Sequence, residues 1–243
     1  MRALWRVFGV AYAELLLWKR QWMWLAQSLM YLLGFAVVAI AWGGLAALKH
    51  IIVVSVIAGA WGIGLNVIGQ MVGWHKLSKQ YEFHVASPLS LAEYYAGVVL
   101  GQVPFLAADV AVPLAAALLL GVPPAPLLAL SAIALAALAL GSFLALAVVL
   151  RIRNPMNISA VTNPLYSLTT ILPPVYYPMS ALPQPLRLLA LASPTTPLAE
   201  LARLATGAAE ACLDPAAALG LAAAWLLLSA FALKGALKWG LED

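Results

Sequence analysis

Long apolar stretches dominate this sequence, and they restrict its possible folds more than any other feature. A helix needs about 20 predominantly apolar residues to cross the hydrocarbon core of a bilayer, and short polar or Pro-rich intervals divide the chain into several such stretches. Charged residues make up only 9% of the chain, whereas a soluble protein carries roughly a quarter. Most of the surface must therefore face lipid, and the sequence predicts an all-α integral membrane protein.

The apolar stretches predict a single domain over residues 1–243, with six transmembrane helices in the region 22–237. The predicted spans are Trp22–Leu48, Ile51–Gly73, Tyr94–Leu120, Leu127–Leu150, Asn157–Pro173 and Ala216–Leu233. Only Lys49 and His50 separate the first two spans, so we expect a tight turn there. A long Pro-rich interval, residues 177–214, precedes the last span.

Residues 1–21 are mixed in character and predict a helix that lies in the membrane interface. At about 100° per residue, Arg2, Arg6 and Arg20 fall on one face. An aromatic and apolar flank lies beside that face and consists of Trp5, Phe8, Tyr12 and Leu15. A basic edge beside an apolar flank is typical of interfacial helices. An irregular tail that only helps to orient the chain is the alternative.

The distribution of Lys and Arg predicts the orientation of the chain. Ten of the thirteen lie in the N-terminal arm, the loops 74–93 and 151–157, or the C-terminal tail. Lys49, Arg187 and Arg203 lie on the opposite side. Because short cytoplasmic loops carry an excess of Lys and Arg, we expect a multi-pass protein of the cell membrane with both termini in the cytoplasm. The same placement explains the net charge of +4 without a nucleic acid partner.

Small and polar residues share one face of the predicted second span. They are Ser55, Gly59, Gly62, Asn66, Gly69 and Gly73, with Gln70 at the edge. Small residues let helix backbones approach closely in lipid, so we expect leucine to be harmful at Gly69 or Gly62 and better tolerated at Gly64, off this face. The amides of Asn66 and Gln70 need hydrogen-bond partners in another helix or in a wet cavity. Helix packing and contact with a transported substrate both remain open.

The predicted fifth span has a matching polar face, which consists of Ser159, Asn163, Tyr166 and Thr170. Polar residues within a membrane helix face the protein interior or a water-filled pathway. This face is a candidate translocation surface, and interhelical hydrogen bonding is the alternative.

Asp109 is the one carboxylate well inside a predicted span, between Pro104 and Pro113. An ionisable group at this depth is a functional candidate. No Lys or Arg lies deep in any predicted span to pair with it. It can act in a proton relay, as in a proton-coupled carrier or channel, or it can serve a structural role.

Sequence motifs for catalysis and metal binding are missing. The chain contains no G-x-x-x-x-G-K-[ST] loop for ATP phosphates, no G-x-S-x-G nucleophile elbow and no H-E-x-x-H zinc motif. His50, His75 and His84 lie at or beyond span ends, and we predict no metal site. Cys212 is the single cysteine, so no intramolecular disulfide can form. The chain is not predicted to be an enzyme.

The first cytoplasmic loop contains a run that resembles the signature loop of type-2 (ABC-2 type) ABC transporter permeases. The matching residues are Glu82, Ser87, Pro88, Leu89 and Ser90, followed by Tyr94 and Gly97. The Gly-Thr pair that usually precedes this run is replaced here by Lys79 and Gln80.

A second segment, after the fifth span, is similar to the extracellular motif of the same family. Its matching residues are Tyr177, Pro178, Ser180, Leu182, Pro183, Pro194, Pro197, Glu200 and Arg203, with Ser193 in place of the common Asn. In the family this segment forms short helices on the outer side before the last span.

The resemblance implies the membrane subunit of an ATP-driven exporter that works as a pair with a second permease copy or a homologous permease. ATP and Mg²⁺ would bind a separate ATPase subunit, and this chain would hold no cofactor. A coupling helix in the loop 74–93 would dock on that ATPase through Glu82, Phe83, His84 and the residues 87–90. The N-terminal helix would be the family's connecting helix. Neither the resemblance nor the residues identify the substrate, although an uncharged pathway favours an apolar or amphipathic one.

Overall fold

The computed structural model describes residues 2–20 and 22–236, and this part of the chain is mainly helical, with no β-strand. The α-helices are α1 (Arg2–Arg20), α2 (Trp22–Gly62), α3 (Ile68–Leu77), α4 (Gln80–Ala86), α5 (Leu91–Gly101), α6 (Val103–Leu106), α7 (Val112–Leu119), α8 (Pro124–Val149), α9 (Ile158–Thr170), α10 (Gln184–Ala190), α11 (Thr195–Thr206) and α12 (Pro215–Lys234). One π-helical turn, Ile63–Val67, joins α2 to α3, and another, Ala107–Ala111, joins α6 to α7. Short 3₁₀ turns form at Pro155–Asn157 and Met179–Ala181.

Three helical segments are long and apolar enough to cross a bilayer: Trp22–Leu77, Pro124–Val149 and Pro215–Lys234. A further candidate crossing, the third of the six predicted, consists of Leu91–Gly101 and Val103–Leu119, which are bent by 44° relative to each other. The fifth predicted span is shorter than expected, because α9 has only 13 residues where a crossing needs about 20. The helical composition and these apolar helices confirm the all-α membrane class, whereas the count of six spans stays a prediction.

The tight turn predicted at Lys49 and His50 lies elsewhere in the structure. Lys49 and His50 are helical, and the break in α2 lies at Gly44, with φ 62° and ψ −150°. This region of backbone space is essentially restricted to glycine. Ser28 and Gly59 both lie beside Asp109, so the two arms of α2, before and after Gly44, run next to each other as a helical hairpin.

The core forms where the second arm of α2 packs against α8. Gly64 lies so close to α8 that a Cβ built on it would be 2.5 Å from the carbonyl oxygen of Leu138 and 2.8 Å from the amide nitrogen of Ser142. Gly141 approaches α2 in return, since its Cβ would be 2.9 Å from the carbonyl oxygen of Trp61. The expectation that leucine is better tolerated at Gly64 than at Gly62 or Gly69 is therefore wrong, because Gly64 meets backbone atoms of α8 on the face opposite the predicted one, whereas the nearest atoms to Gly62 and Gly69 are side-chain atoms at 3.1 Å and 3.3 Å.

The N-terminal helix α1 packs along α5. A Cβ at Gly97 would be 2.5 Å from Cβ of Val10, and one at Gly101 would be 2.3 Å from Cβ of Glu14. The predicted aromatic flank of α1 is left outside this contact, since Trp5 and Tyr12 are exposed. The two glycines of α5 therefore position α1 beside the start of the third crossing.

Candidate functional site

The amide side chains of the second and fifth predicted spans meet. Nε2 of Gln70 donates to Oδ1 of Asn66 at 2.6 Å and to Oδ1 of Asn163 at 2.9 Å. Asn66 lies in the π-helical turn Ile63–Val67, and such turns are frequent at functional sites because they re-aim side chains. Asn163 remains exposed, so this amide cluster (Asn66, Gln70 and Asn163) has one open side.

Other members of the two polar faces lie in the same contact between helices. A Cβ at Gly62 would be 3.1 Å from the ring of Tyr166, and one at Gly73 would be 2.8 Å from Cδ1 of Ile158. Thr170 is buried and Ser159 is exposed. The glycine face of α2 and α3 therefore holds α9 close along its length, as the spacing of small residues indicates.

Asp109 lies in the π-helical turn Ala107–Ala111, between the prolines at 104 and 113. Its backbone carbonyl oxygen fills the space beside Gly59, where a Cβ would be only 2.3 Å away. Its side chain is half-buried and interacts with the hydroxyl group of Ser28. The structure thus brings this acid to the contact between both arms of α2 and the third crossing.

The segment with the first family motif forms a short helix between α3 and α5. This helix, α4, covers residues 80–86, and the nonhelical link is shorter than the predicted loop 74–93 because α3 continues to Leu77. Phe83 is 75% exposed, Glu82 is exposed and His84 is half-buried. The helix therefore presents an aromatic ring and a carboxylate that no other described residue covers.

Ser87 ends α4, and the chain then turns through Pro88 and Leu89 into α5. The hydroxyl of Ser87 donates to the carbonyl oxygen of His84 at 2.7 Å. The hydroxyl of Ser90 accepts from the backbone N–H of Glu93, and the carboxylate of Glu93 accepts from the backbone N–H of Ser90. This reciprocal cap fixes where α5 begins. Residues 87–90 thus form a defined link between α4 and α5 rather than part of α4.

A cluster beneath α4 was missed by the sequence interpretation. Oε1 of Glu14 lies 2.8 Å from Nε2 of His75, and Nδ1 of the same ring lies 2.6 Å from the hydroxyl of Tyr94. The rings of His75 and His84 are 5.6 Å apart. Burial lowers the pKa of His84, His75 lowers it further and Glu14 opposes the shift. The only usable signal was Glu14, a single acid in an otherwise basic and apolar helix.

Among residues 2–20 and 22–236, no group of three His, Cys, Asp or Glu side chains has an arrangement suited to a metal ion.

The second family motif is organised by Arg203, which is buried in α11. Its guanidinium donates to Oε1 of Glu200 at 2.6 Å and to the carbonyl oxygens of Pro174, Val175 and Tyr177 at 2.7–2.8 Å. The other oxygen of Glu200 accepts the backbone N–H groups of residues 212 and 213. One ion pair therefore ties together the segments before and after α11.

The prolines of this motif lie at the boundaries of the short helices. Pro178 and Pro183 precede the turn Met179–Ala181 and α10, Pro194 precedes α11, and Pro197 is buried within its first turn. Arg187 donates to the carbonyl oxygen of Leu182 at 2.7 Å. The motif residues thus build a compact, hydrogen-bonded segment.

Comparison with known proteins gives one result for the family and one for individual relatives. The model of the family described as "ABC-2 type transporter" matches residues 7–205, which includes most of α1, all of α4, the amide cluster and Arg203. A search of curated proteins returned no match. Because the family match covers most of the chain, the protein belongs to the ABC-2 type transporter family and is a membrane permease component of an ABC transporter.

Proposed function

We propose that this chain is the permease subunit of an ATP-driven exporter, coupled through α4 to a separate ATPase. The observation that carries the proposal is the exposed surface of α4, with Phe83 and Glu82 outward on a helix held at both ends. Aromatic side chains are enriched at protein interfaces, and charged residues are common at their polar rim. The chain itself has no phosphate-binding loop, so ATP and Mg²⁺ belong to the partner.

The proposed orientation places both termini in the cytoplasm of a cell-membrane protein. The end of the molecule that carries α4 also holds Lys76, Lys79 and Arg151, and the guanidinium of Arg151 donates to the carbonyl oxygen of Ala232 near the end of α12. Positive charge next to spans favours the cytoplasmic side. In a Cys212→Ser background, single cysteines at Ser78 and Asn154 should be shielded from an impermeant thiol reagent in intact cells, while one at Gln184 reacts. Labelling at Ser78 from outside contradicts this orientation.

The amide cluster is the proposed translocation surface, together with Ser159, Tyr166 and Thr170. An exposed amide such as that of Asn163 is costly against lipid, so it requires a water-filled cavity or another protein. A second permease copy, or a homologous permease, facing this side satisfies the requirement and encloses a pathway between the two subunits. This reasoning supports a permease pair with the amides near its centre.

The test replaces Phe83 by Asp, with Gln184→Asp as the matched control. Both residues are exposed, so neither change disturbs packing within this chain, but only the first puts a charge into the proposed ATPase interface. We expect Phe83→Asp to abolish co-purification of the ATPase encoded beside this permease, and with it ATP hydrolysis in the purified membranes. Gln184→Asp should behave as the wild type.

A carrier that works alone with Asp109 predicts the opposite pattern. Growth protection against a panel of amphipathic drugs would then persist in Phe83→Asp, disappear in Asp109→Asn and collapse with an uncoupler. That outcome, or an ATPase that binds equally well to Phe83→Asp, refutes the proposal.

A further inference from the structure

We propose that Glu14, His75 and Tyr94 are positioning residues that fasten α1 to the two helices flanking α4. The inference rests on the proposed function, because it assigns these residues to the coupling of α4 with the membrane helices. Glu14 lies on α1, His75 near the end of α3 and Tyr94 in the first turn of α5. The three side chains therefore join the three helices that surround α4.

Hydrogen-bond donors and acceptors match from Tyr94 through His75 to Glu14. With a neutral His75, the Tyr94 hydroxyl donates to Nδ1 and the Nε2–H group donates to the Glu14 carboxylate, at 2.6 and 2.8 Å. A charged acceptor shortens and strengthens such a hydrogen bond. The imidazole ring thus serves as a rigid spacer whose two nitrogens engage a partner on either side.

Burial strengthens this series of hydrogen bonds between the three helices. Glu14 and His75 are each 2% exposed and Tyr94 is fully buried, so water does not compete for the hydrogen bonds. Removal of one member leaves a buried polar partner unsatisfied, which costs more than the net value of the bond itself. The backbone contact of α1 with Gly97 and Gly101 brings the helices close enough for this geometry.

Glu14 also faces the surroundings of α4. Its second carboxylate oxygen, Oε2, is buried and accepts no hydrogen bond from the described residues. Glu14 lines a cavity of about 220 Å³, whose lining also includes His75 from α3 and Gln80, Phe83 and His84 from α4. Displacement of α4 therefore changes the surroundings of the same carboxylate that holds α1, which is why we assign these residues to coupling rather than to folding alone.

The test measures the position of α1 directly. Nitroxide labels at Tyr12 on α1 and Leu119 on α7, both exposed, are introduced into a Cys212→Ser protein in nanodiscs. Variants are Glu14→Gln, Tyr94→Phe and the control Arg6→Gln. Arg6 joins the same two helices through an ion pair with Glu93 at 3.6 Å, but its side chain is 38% exposed, and such surface pairs contribute little.

In the permease alone, we expect one narrow distance distribution for the wild type and for Arg6→Gln. Glu14→Gln and Tyr94→Phe should add a second, broader population, raised on the order of tenfold by the loss of a buried hydrogen bond to a charge. The double variant should resemble a single one, because both changes break the same chain. With the ATPase bound, trapping with ATP and vanadate should enlarge the second population in the two variants only.

A purely structural role predicts another pattern. Glu14→Gln would then lower thermal stability but leave the label-to-label distance distribution of the folded protein unchanged, and the effects of the two changes would add in the double variant. An unchanged distance distribution, or additive effects, in the permease alone overturns the inference. Failure of the ATPase to bind the wild type refutes the proposed function instead, and the measurement on the permease alone still decides whether the three residues position α1.

Discussion

The contact between Gly64 and α8 allows a quantitative prediction for Gly64→Ala. The added Cβ would meet two backbone atoms, the Leu138 carbonyl oxygen at 2.5 Å and the Ser142 amide nitrogen at 2.8 Å. Backbone atoms of a packed helix cannot rotate away, so the helices must separate. Overpacking of this kind costs about 1–3 kcal/mol, and the helix propensity of alanine offsets about 1 kcal/mol of it. Because both clashes are with backbone atoms, we expect the cost to lie in the upper part of this range and the net loss to be about 1–2 kcal/mol.

The assay is thermal unfolding of the purified protein in detergent, followed by size-exclusion chromatography of the surviving fraction. A loss of 1 kcal/mol lowers Tm by roughly 2–4 °C for a chain of this length. Gly220→Ala is the control, because Gly220 lies in α12 with no atom within 4 Å of its missing Cβ, and its Tm should stay level or rise. Gly69→Ala should rank between them, since its closest contacts are side-chain atoms at 3.3–3.5 Å. A Gly64→Ala protein as stable as Gly220→Ala refutes the reasoning.

Two further changes test the backbone and the ion pair. Lys79 has φ +60°, a left-handed conformation that costs a nonglycine residue about 1 kcal/mol. Lys79→Gly should therefore raise Tm, whereas Ser78→Gly, at a residue with φ −84°, should not. An equal effect of the two changes on Tm contradicts this reasoning. Arg203→Leu leaves Glu200 as an unpaired buried charge and should cost about 3–5 kcal/mol. Arg187→Leu breaks two hydrogen bonds to carbonyl oxygens in a partly exposed site and should cost much less. Equal Tm values for Arg203→Leu and Arg187→Leu would show that the buried ion pair does not hold the segments around α11 together.

The first and last residues of a helix were predicted well where an apolar run begins with proline or ends near a basic residue. The fourth span was placed at 127–150 and the helix is Pro124–Val149; the last was placed at 216–233 and the helix is Pro215–Lys234. Proline at the start and a basic residue near the end are helix boundary signals that act within a single turn. The break at Gly44 gave a weaker signal, because glycine is common in membrane helices and the charged pair Lys49–His50 nearby looked like a turn.

Side-chain partners were predicted less completely than helix faces. Helical periodicity identified the faces that carry Asn66 and Asn163, but it could not show that Gln70 bridges them across 93 residues of sequence. The same limit explains Gly64, which lies on a second packing face of a helix surrounded by protein. For α1, periodicity separated the basic edge from the aromatic flank, yet the protein contact is made by Val10 and Glu14, because a single helix does not reveal which side meets its neighbours.

The family difference at Lys79 acquires a physical meaning in the structure. The family pattern that this loop resembles has glycine in place of Lys79, and Lys79 has the positive φ that glycine adopts without strain. The turn between α3 and α4 therefore has a backbone conformation that favours glycine, although lysine occupies it. The caps at Ser87 and Ser90 fix the other end of α4, and His75 and Tyr94 attach both flanking helices to α1. Since α3 runs from His75 through Gln70 and directly follows the π-helical turn that carries Asn66, the coupling proposed for α4 has a short and continuously helical path to the amide cluster.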